Sequence, residues 1–164
     1  MRIASELTTR LVHDGVNKGE APASEVLVNG VSTGNLVSGA LLEAAVQWEN
    51  RYLLFMTDDV PFEEMLTIHL LDAQMNVLDS ASIGSPYASG SFTSLLLNEP
   101  NTVRFRFIGD TLWSIELLSH PRFRIPFISE PRGVVRHLGF SRHFIVRGEP
   151  HPQTTQVSSP GQAD

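Results

Sequence analysis

The segment TVRFRFIG, residues 102–109, alternates strictly between apolar and charged side chains. In an extended chain Val103, Phe105 and Phe107 fall on one face, and the two intervening arginines fall on the other. A period of two with one apolar face is typical of an antiparallel strand that covers a core on one side and meets solvent on the other. The segment therefore predicts a protein built from half-buried β-sheets.

Other segments of the chain have the length and apolar content of strands, and residues that favour turns separate them. These segments are 25–30, 51–57, 65–71, 76–82, 92–97, 112–118 and 143–148. Short strands with short connections are typical of antiparallel hairpins and meanders. We therefore predict an all-β fold, namely a single antiparallel β-sandwich or jelly-roll-like domain.

Residues 36–48 fit two structures. Val37, Leu41, Ala45 and Trp48 recur at helical spacing, but the residues of even number from Leu42 to Trp48 also alternate as in a strand. The alanine and glutamate content favours a helix, whereas Glu49-Asn50 directly before the next strand is typical of a two-residue hairpin turn. We favour the strand on the strength of that turn.

The two ends of the chain lack the sheet pattern. In residues 1–24, Ile3, Leu7 and Leu11 recur at four-residue spacing, which predicts at most one short N-terminal helix. Residues 149–164 contain three prolines and one valine, and they bury too little apolar surface to offset their ordering entropy. We predict a flexible N-terminal arm over 1–24, a β-sandwich domain over 25–148 and a disordered tail over 149–164.

The composition excludes several kinds of site. The chain contains no cysteine, so disulfide scaffolds, cysteine-ligated zinc and thiol catalysis are excluded. No apolar run approaches the roughly 20 residues of a membrane-spanning helix, and the first residues lack the apolar core of a secretory signal. We expect a cytoplasmic protein that uses no cofactor and does not associate with a membrane.

Residues 30–34 match the G-x-S-x-G pattern of a nucleophile elbow around Ser32. Too few residues precede Ser32 to supply the strands and the oxyanion loop that come before the nucleophile in an α/β-hydrolase. The pattern is better interpreted as a glycine-rich turn between two strands.

The loop after residue 57 carries four carboxylates, Asp58, Asp59, Glu63 and Glu64. Carboxylate oxygens are ligands for hard cations such as calcium, so these residues form a candidate metal site. The spacing is not that of an EF-hand, and a solvated connection between two strands explains the cluster equally well.

None of the six histidines belongs to a compact metal-binding motif. In strict alternation His69 shares a face with Thr67 and opposes the apolar side chains of its strand, which predicts a partly exposed side chain. A small metal-dependent or hydrolytic enzyme remains an alternative, with a site assembled from distant strands around His69, Asp58 and Asp59.

Basic residues concentrate near the C-terminus. Residues 104–164 carry 8 basic and 5 acidic side chains, whereas residues 1–103 carry 4 basic and 13 acidic ones. Basic residues that alternate with phenylalanines can receive an acidic partner protein or a nucleic acid. The candidate partner-binding residues are Arg122, Arg124, Arg132, Arg136, His137, Arg142 and His143. Alternatively, these arginines pair with the acidic N-terminal half of the same molecule, or they face water from edge strands.

Aromatic side chains offer one more candidate site. Trp48, Trp113 and Tyr52 lie inside predicted strands, and we expect the two tryptophans to be in the core. Tyr87 lies in a predicted loop, so it is the candidate ligand-binding residue of a carbohydrate-binding module.

No catalytic motif stands out from these patterns. We therefore expect a non-catalytic binding protein that engages a protein partner through the basic C-terminal segment. Its net charge of −6 makes nucleic acid the less favoured partner. An exposed edge strand would also allow a homodimer.

Overall fold

The computed structural model describes residues 1–15, 20–59, 65–84, 90–109, 111–123, 130–136 and 141–148. These residues form strands, turns and loops, without a helix in any of these ranges. The strands are β1 (Arg2–Ile3), β2 (Leu7–His13), β3 (Ala23–Val28), β4 (Val31–Ser38), β5 (Leu41–Trp48), β6 (Arg51–Thr57), β7 (Leu66–Leu71), β8 (Val77–Ile83), β9 (Thr93–Asn98), β10 (Thr102–Arg106), β11 (Leu112–Phe123), β12 (Val134–Val135) and β13 (Ser141–Arg147).

The strands form three antiparallel sheets, which confirms the predicted all-β, sandwich-like fold. A six-stranded sheet has the order β1-β5-β6-β7-β8-β12, a four-stranded sheet the order β13-β11-β10-β9, and a three-stranded sheet the order β2-β3-β4. All seven segments predicted as strands, and the alternating segment as well, contain a strand of the structure. In the described part of the chain, no helix has the length and apolar character needed to cross a membrane.

The six-stranded sheet is covered on both faces. Its first face packs on the four-stranded sheet, where the rings of Phe55 and Phe105 lie 5.1 Å apart. The predicted alternation holds there, since Val103, Phe105 and Phe107 are buried and Arg104 is exposed. The other face packs on the three-stranded sheet through a second core, which consists of Ala4, Leu7, Val26, Val37, Ala45, Leu54, Met56, Leu71 and Met75. Consecutive residues of β6 are therefore buried on alternating sides.

The N-terminal segment is not the flexible arm or short helix that its pattern predicts. β1 pairs with β5, and β2 pairs with β3. Leu7 is buried in the second core, whereas Ile3 and Leu11 are exposed. Four is an even number, so residues four apart share a face in a strand as well as in a helix. The spacing alone therefore could not separate the two structures.

The preference for a strand within residues 36–48 is confirmed. β5 covers Leu41–Trp48 and joins β6 through the predicted two-residue turn, in which Glu49 adopts a φ of 55°. The predicted disordered tail, residues 149–164, lies outside the described residues.

The chain passes from the three-stranded sheet to the six-stranded sheet at Gly39. This residue has a φ of +118°, and a Cβ there would lie 2.5 Å from the Cβ of Met56. The Ser24 hydroxyl donates a hydrogen bond to the Gly39 carbonyl oxygen at 2.7 Å. Glycine thus allows both the backbone conformation and the close approach of the two sheets next to Ser38, the last residue of β4.

Candidate functional site

A polar strip runs along β7 and β8 on the face of the six-stranded sheet that meets the three-stranded sheet. The register places His69 opposite Ser80 and Thr67 opposite Ser82. The apolar residues between them point to the other face and join the first core. Strand alternation therefore concentrates three hydroxyls and an imidazole on one side of a two-stranded ribbon.

His69 links this strip to the three-stranded sheet. Its Nδ1 lies 2.8 Å from the Ser80 hydroxyl, and its Nε2 lies 2.9 Å from the Ser38 carbonyl oxygen. A carbonyl oxygen can only accept, so Nε2 carries the hydrogen of this contact. In the neutral ring Nδ1 is then the acceptor, and the Ser80 hydroxyl donates to it.

The His69 side chain is buried, in contrast to the partly exposed side chain that its strand pattern predicts. Only 4% of the residue surface is accessible. The predicted face is correct, because His69 shares it with Thr67. The residue is buried because the end of β4 lies over it, and a contact between sheets that are distant in sequence is not visible in a local pattern.

A cleft with a volume of about 410 Å³ opens beside this strip. We call it the His69 cleft, and its polar side chains are Asp58, Thr67, His69, Ser80, Ser82 and Arg136, together with Ser38. Two members of the predicted distant-strand site, His69 and Asp58, therefore line one cavity. The third member, Asp59, is exposed and is not part of the lining.

Asp58 follows β6 and is half-buried at the side of the His69 cleft. Burial removes water from the carboxylate and raises the pKa of Asp58 above its ordinary value. The ionised form is therefore less stable in the folded protein than in the unfolded chain. A ligand that brings a hydrogen-bond donor or a positive charge would relieve this loss of solvation.

The carboxylate of Asp79 is the centre of a buried ion cluster beside the cleft. It accepts hydrogen bonds from Arg136 Nη1 at 2.9 Å, from the Ser80 amide at 2.9 Å and from the His143 amide at 2.8 Å. Arg136 Nη2 donates to the Phe144 carbonyl oxygen at 2.9 Å, and the guanidinium lies 4.2 Å from the centre of the Phe144 ring. The cluster thus joins the edge of the six-stranded sheet to β13.

A second carboxylate completes the cluster. Glu130 Oε1 lies 3.0 Å from Arg136 Nε and 3.6 Å from Arg142 Nε. The side chains of Arg136 and Arg142 are only 2% and 6% exposed. With Asp79, the cluster holds two positive and two negative charges, which satisfies the rule that buried charges occur in pairs.

The structure separates the predicted partner-binding residues into three groups. Arg122 and Arg132 are exposed, and His143 is half-buried. Arg136 and Arg142 are buried in the ion cluster. Arg136 pairs with Asp79 from the acidic N-terminal half, as the alternative predicts, whereas the acid next to Arg142 is Glu130 of the C-terminal segment. The other two predicted residues, Arg124 and His137, lie outside the described residues.

The structure describes only part of the predicted metal site and does not describe the predicted ligand-binding residue. Of the four predicted metal ligands, Asp58 and Asp59 are described, whereas Glu63 and Glu64 lie outside the described residues, as does Tyr87. Among the described residues there is no group of three or more histidines and acids arranged to hold a metal ion.

Both tryptophans are buried, as the sequence predicts. Trp48 donates from Nε1 to the Pro100 carbonyl oxygen, and Trp113 donates to that of Phe107.

The G-x-S-x-G segment is part of an antiparallel hairpin and not of a strand-turn-helix elbow. Asn29 and Gly30 form the turn, and Ser32 lies within β4. The Ser32 hydroxyl donates to the carboxylate of Glu25 on the neighbouring strand. The rejection of a nucleophile elbow is therefore correct, but the interpretation of residues 30–34 as a turn is wrong beyond Gly30, because residues 31–34 belong to β4.

Comparisons with known proteins add no assignment, because no family model, no curated protein and no solved structure matches the chain.

Sequence reasoning missed Ser80, Ser82 and Ser38 as site residues. The signal that could have found the first two is the hairpin formed by the segments 65–71 and 76–82. Pairing them in the observed register places the serines opposite His69 and Thr67. Ser38 carried no such signal, because it belongs to a different sheet.

Replacing Arg136 by alanine is expected to destabilise the fold by about 3–5 kcal/mol, because the Asp79 carboxylate then stays buried without its charge partner. The exposed neighbour Arg132 provides the control, and Arg132→Ala should change stability by no more than about 0.5 kcal/mol. Urea unfolding followed by circular dichroism measures both values. Equal and small losses would show that the buried cluster does not stabilise the domain.

Replacing Asp58 by asparagine is expected to raise the melting temperature at pH 7. The pKa of Asp58 is raised in the folded protein, so its charge opposes folding at neutral pH, and this penalty disappears as the folded protein takes up a proton at lower pH. The gain should therefore shrink as the pH falls. Thermal unfolding at several pH values tests this, with Asp59→Asn at the exposed neighbouring position as control. A gain that persists unchanged at acid pH would contradict the explanation.

Proposed function

We propose that this chain is a binding protein and that the His69 cleft holds a small polar ligand. The observation that carries the proposal is the cleft itself, whose volume of about 410 Å³ lies in the range of small-molecule sites. Its polar groups converge from three strands and from two positions just after strands, which is typical of a site and less so of a packing gap.

The lining indicates the chemistry of the ligand. The hydroxyls of Thr67, Ser80 and Ser82 can each donate or accept hydrogen bonds. The charge of Arg136 is balanced by Asp79 and Glu130, so it contributes little net attraction for an anion. Asp58 has lost part of its solvation, so a neutral or cationic ligand with hydrogen-bond donors fits best.

The variant Val135→Trp tests the proposal, because Val135 lines the cleft and is 63% exposed. An indole at this position should obstruct the cleft without disturbing the core. Val77→Trp is the matched control, since Val77 is also exposed at the surface of the six-stranded sheet but does not line the cleft. We would screen monosaccharides, amino-acid amides and small primary amines by saturation-transfer NMR.

At least one of these classes is expected to bind the unmodified protein and Val77→Trp, and to bind Val135→Trp at least about tenfold more weakly, a change of 1.4 kcal/mol. Binding by a monosaccharide alone would identify the site as a carbohydrate site. No binder in any of the three classes, or equal affinity for both tryptophan variants, would overturn the proposal.

A protein partner at the basic C-terminal segment is the second candidate function. It is favoured by the exposure of Arg122 and Arg132, which are accompanied by exposed apolar side chains at Phe123 and Val135. Aromatic and arginine side chains together are enriched at protein interfaces. We propose that the partner is an acidic protein and not a nucleic acid. The cytoplasmic location of the protein stays a prediction.

The double variant Arg122→Glu with Arg132→Glu tests this second candidate. Both side chains are exposed, so thermal unfolding should change little, while the amount of partner captured at low salt should fall at least tenfold, or about 1.4 kcal/mol. Arg104→Glu, an exposed arginine on the four-stranded sheet, is the control. Capture that is nuclease-sensitive, or that survives the double variant, would contradict the proposal.

A further inference from the structure

Ser80 and His69 have the relationship of a nucleophile and its general base. The Ser80 hydroxyl and His69 Nδ1 are 2.8 Å apart, within the range for proton transfer between such groups. The Ser38 carbonyl oxygen accepts from the opposite ring nitrogen and holds the ring in the tautomer that makes Nδ1 the acceptor. Both side chains line the His69 cleft, where a small molecule can reach them.

Both groups are also held in place by rigid structure. They lie opposite each other on two paired strands of the six-stranded sheet. The Ser80 amide donates to Asp79, whose carboxylate is fixed by Arg136 and by the His143 amide. A pair on adjacent strands keeps its geometry better than a pair on loops, and a fixed geometry is what such catalysis requires.

Ser80 differs from Ser82 in the partner of its hydroxyl. Ser82 lies on the same face of the same strand and lines the same cleft, but its hydroxyl is 3.1 Å from that of Thr67 and not from an imidazole. The Thr67 and Ser82 hydroxyls have two protons, and the contact between them uses one. The other proton is able to donate to an oxygen in the cleft.

We propose that Ser80 is an acyl-transfer nucleophile activated by His69, and that its substrates are small carboxylic esters. The inference rests on the proposed ligand site and adds a reaction to it. The cleft volume limits the substrate to a small ester, and the desolvated Asp58 disfavours an ester that carries a negative charge.

In the first step Ser80 Oγ forms a bond to the ester carbonyl carbon while its proton moves to His69 Nδ1. The carbon–oxygen bond to the alcohol then breaks, and the alcohol leaves with the proton from His69. The remaining proton of the Thr67–Ser82 pair can stabilise the negative charge on the carbonyl oxygen. In the second step water, deprotonated by His69, attacks the acyl carbon, which releases the carboxylic acid and restores the Ser80 hydroxyl.

The first test uses p-nitrophenyl acetate as the probe. We expect release of p-nitrophenolate with one acetyl group on Ser80, identified by mass spectrometry of the peptide. Ser80→Ala should lower the rate by at least a hundredfold, and Val135→Trp should lower it by obstructing the cleft. Ser82→Ala removes one hydroxyl of the pair that stabilises the carbonyl oxygen, so it should slow the reaction while the acetyl group still forms on Ser80. Acetylation elsewhere, or equal rates for both alanine variants, would overturn the inference.

The second test does not depend on turnover. Because the chain contains no cysteine, Ser80→Cys and Ser82→Cys each carry a single thiol. A thiol beside His69 loses its proton more readily, so at pH 7 Ser80→Cys should react with iodoacetamide roughly tenfold faster than Ser82→Cys. Equal rates would show that His69 does not act as a base at this position.

The two proposals can fail separately. If ligands bind in the His69 cleft and Val135→Trp weakens them, but Ser80 is neither acetylated nor unusually reactive as cysteine, the binding function stands and the acyl transfer is wrong. If Ser80 is acetylated but none of the three ligand classes binds, the assigned ligand chemistry is wrong while the nucleophile stands.

Discussion

The burial of the six-stranded sheet on both faces is the constraint on which the rest of the molecule depends. Four consecutive residues of β6, from Leu53 to Met56, are buried, so the four-stranded and the three-stranded sheets must each cover one side. The three-stranded sheet is narrower than the sheet it covers. The three-stranded sheet covers this face only as far as Ser38. The polar side chains of β7 and β8 lie at that point, and the His69 cleft opens there. The cleft is therefore a consequence of unequal sheet widths.

The ion cluster around Asp79 holds two layers of the sandwich together at the edge of the six-stranded sheet. Arg136 directly follows β12 and reaches to β8 and to the backbone of β13, so it joins two layers where the sandwich would otherwise be open. Burying such charges is costly unless every charge is paired, which is why Glu130 and Arg142 belong to the same cluster. Because Asp79 also holds the Ser80 amide, the cluster that closes the edge positions the candidate nucleophile as well.

Much of the fold could be predicted from local patterns, and the failures have physical causes. The alternation over 102–107 correctly assigned Phe105 to the core and Arg104 to the surface, because side chains of a strand alternate wherever it lies. β2 was missed because an even spacing fits both a strand and a helix. Arg136 looked like a surface residue because its partner Asp79 is 57 positions away in the chain. Sequence proximity to other basic residues did not reveal that pairing.

The sequence by itself determined the class of fold, the identity of most strands and the apolar face of β10. These properties depend on residues two positions apart in the chain, so they can be read directly from the sequence. Only the tertiary structure decided which sheets pack together, that His69 is buried under Ser38, and that Ser80 faces its Nδ1. The reason is that strand register and sheet packing are set by the sum of many contacts between distant segments. The side chains that form the site contribute only a few of those contacts.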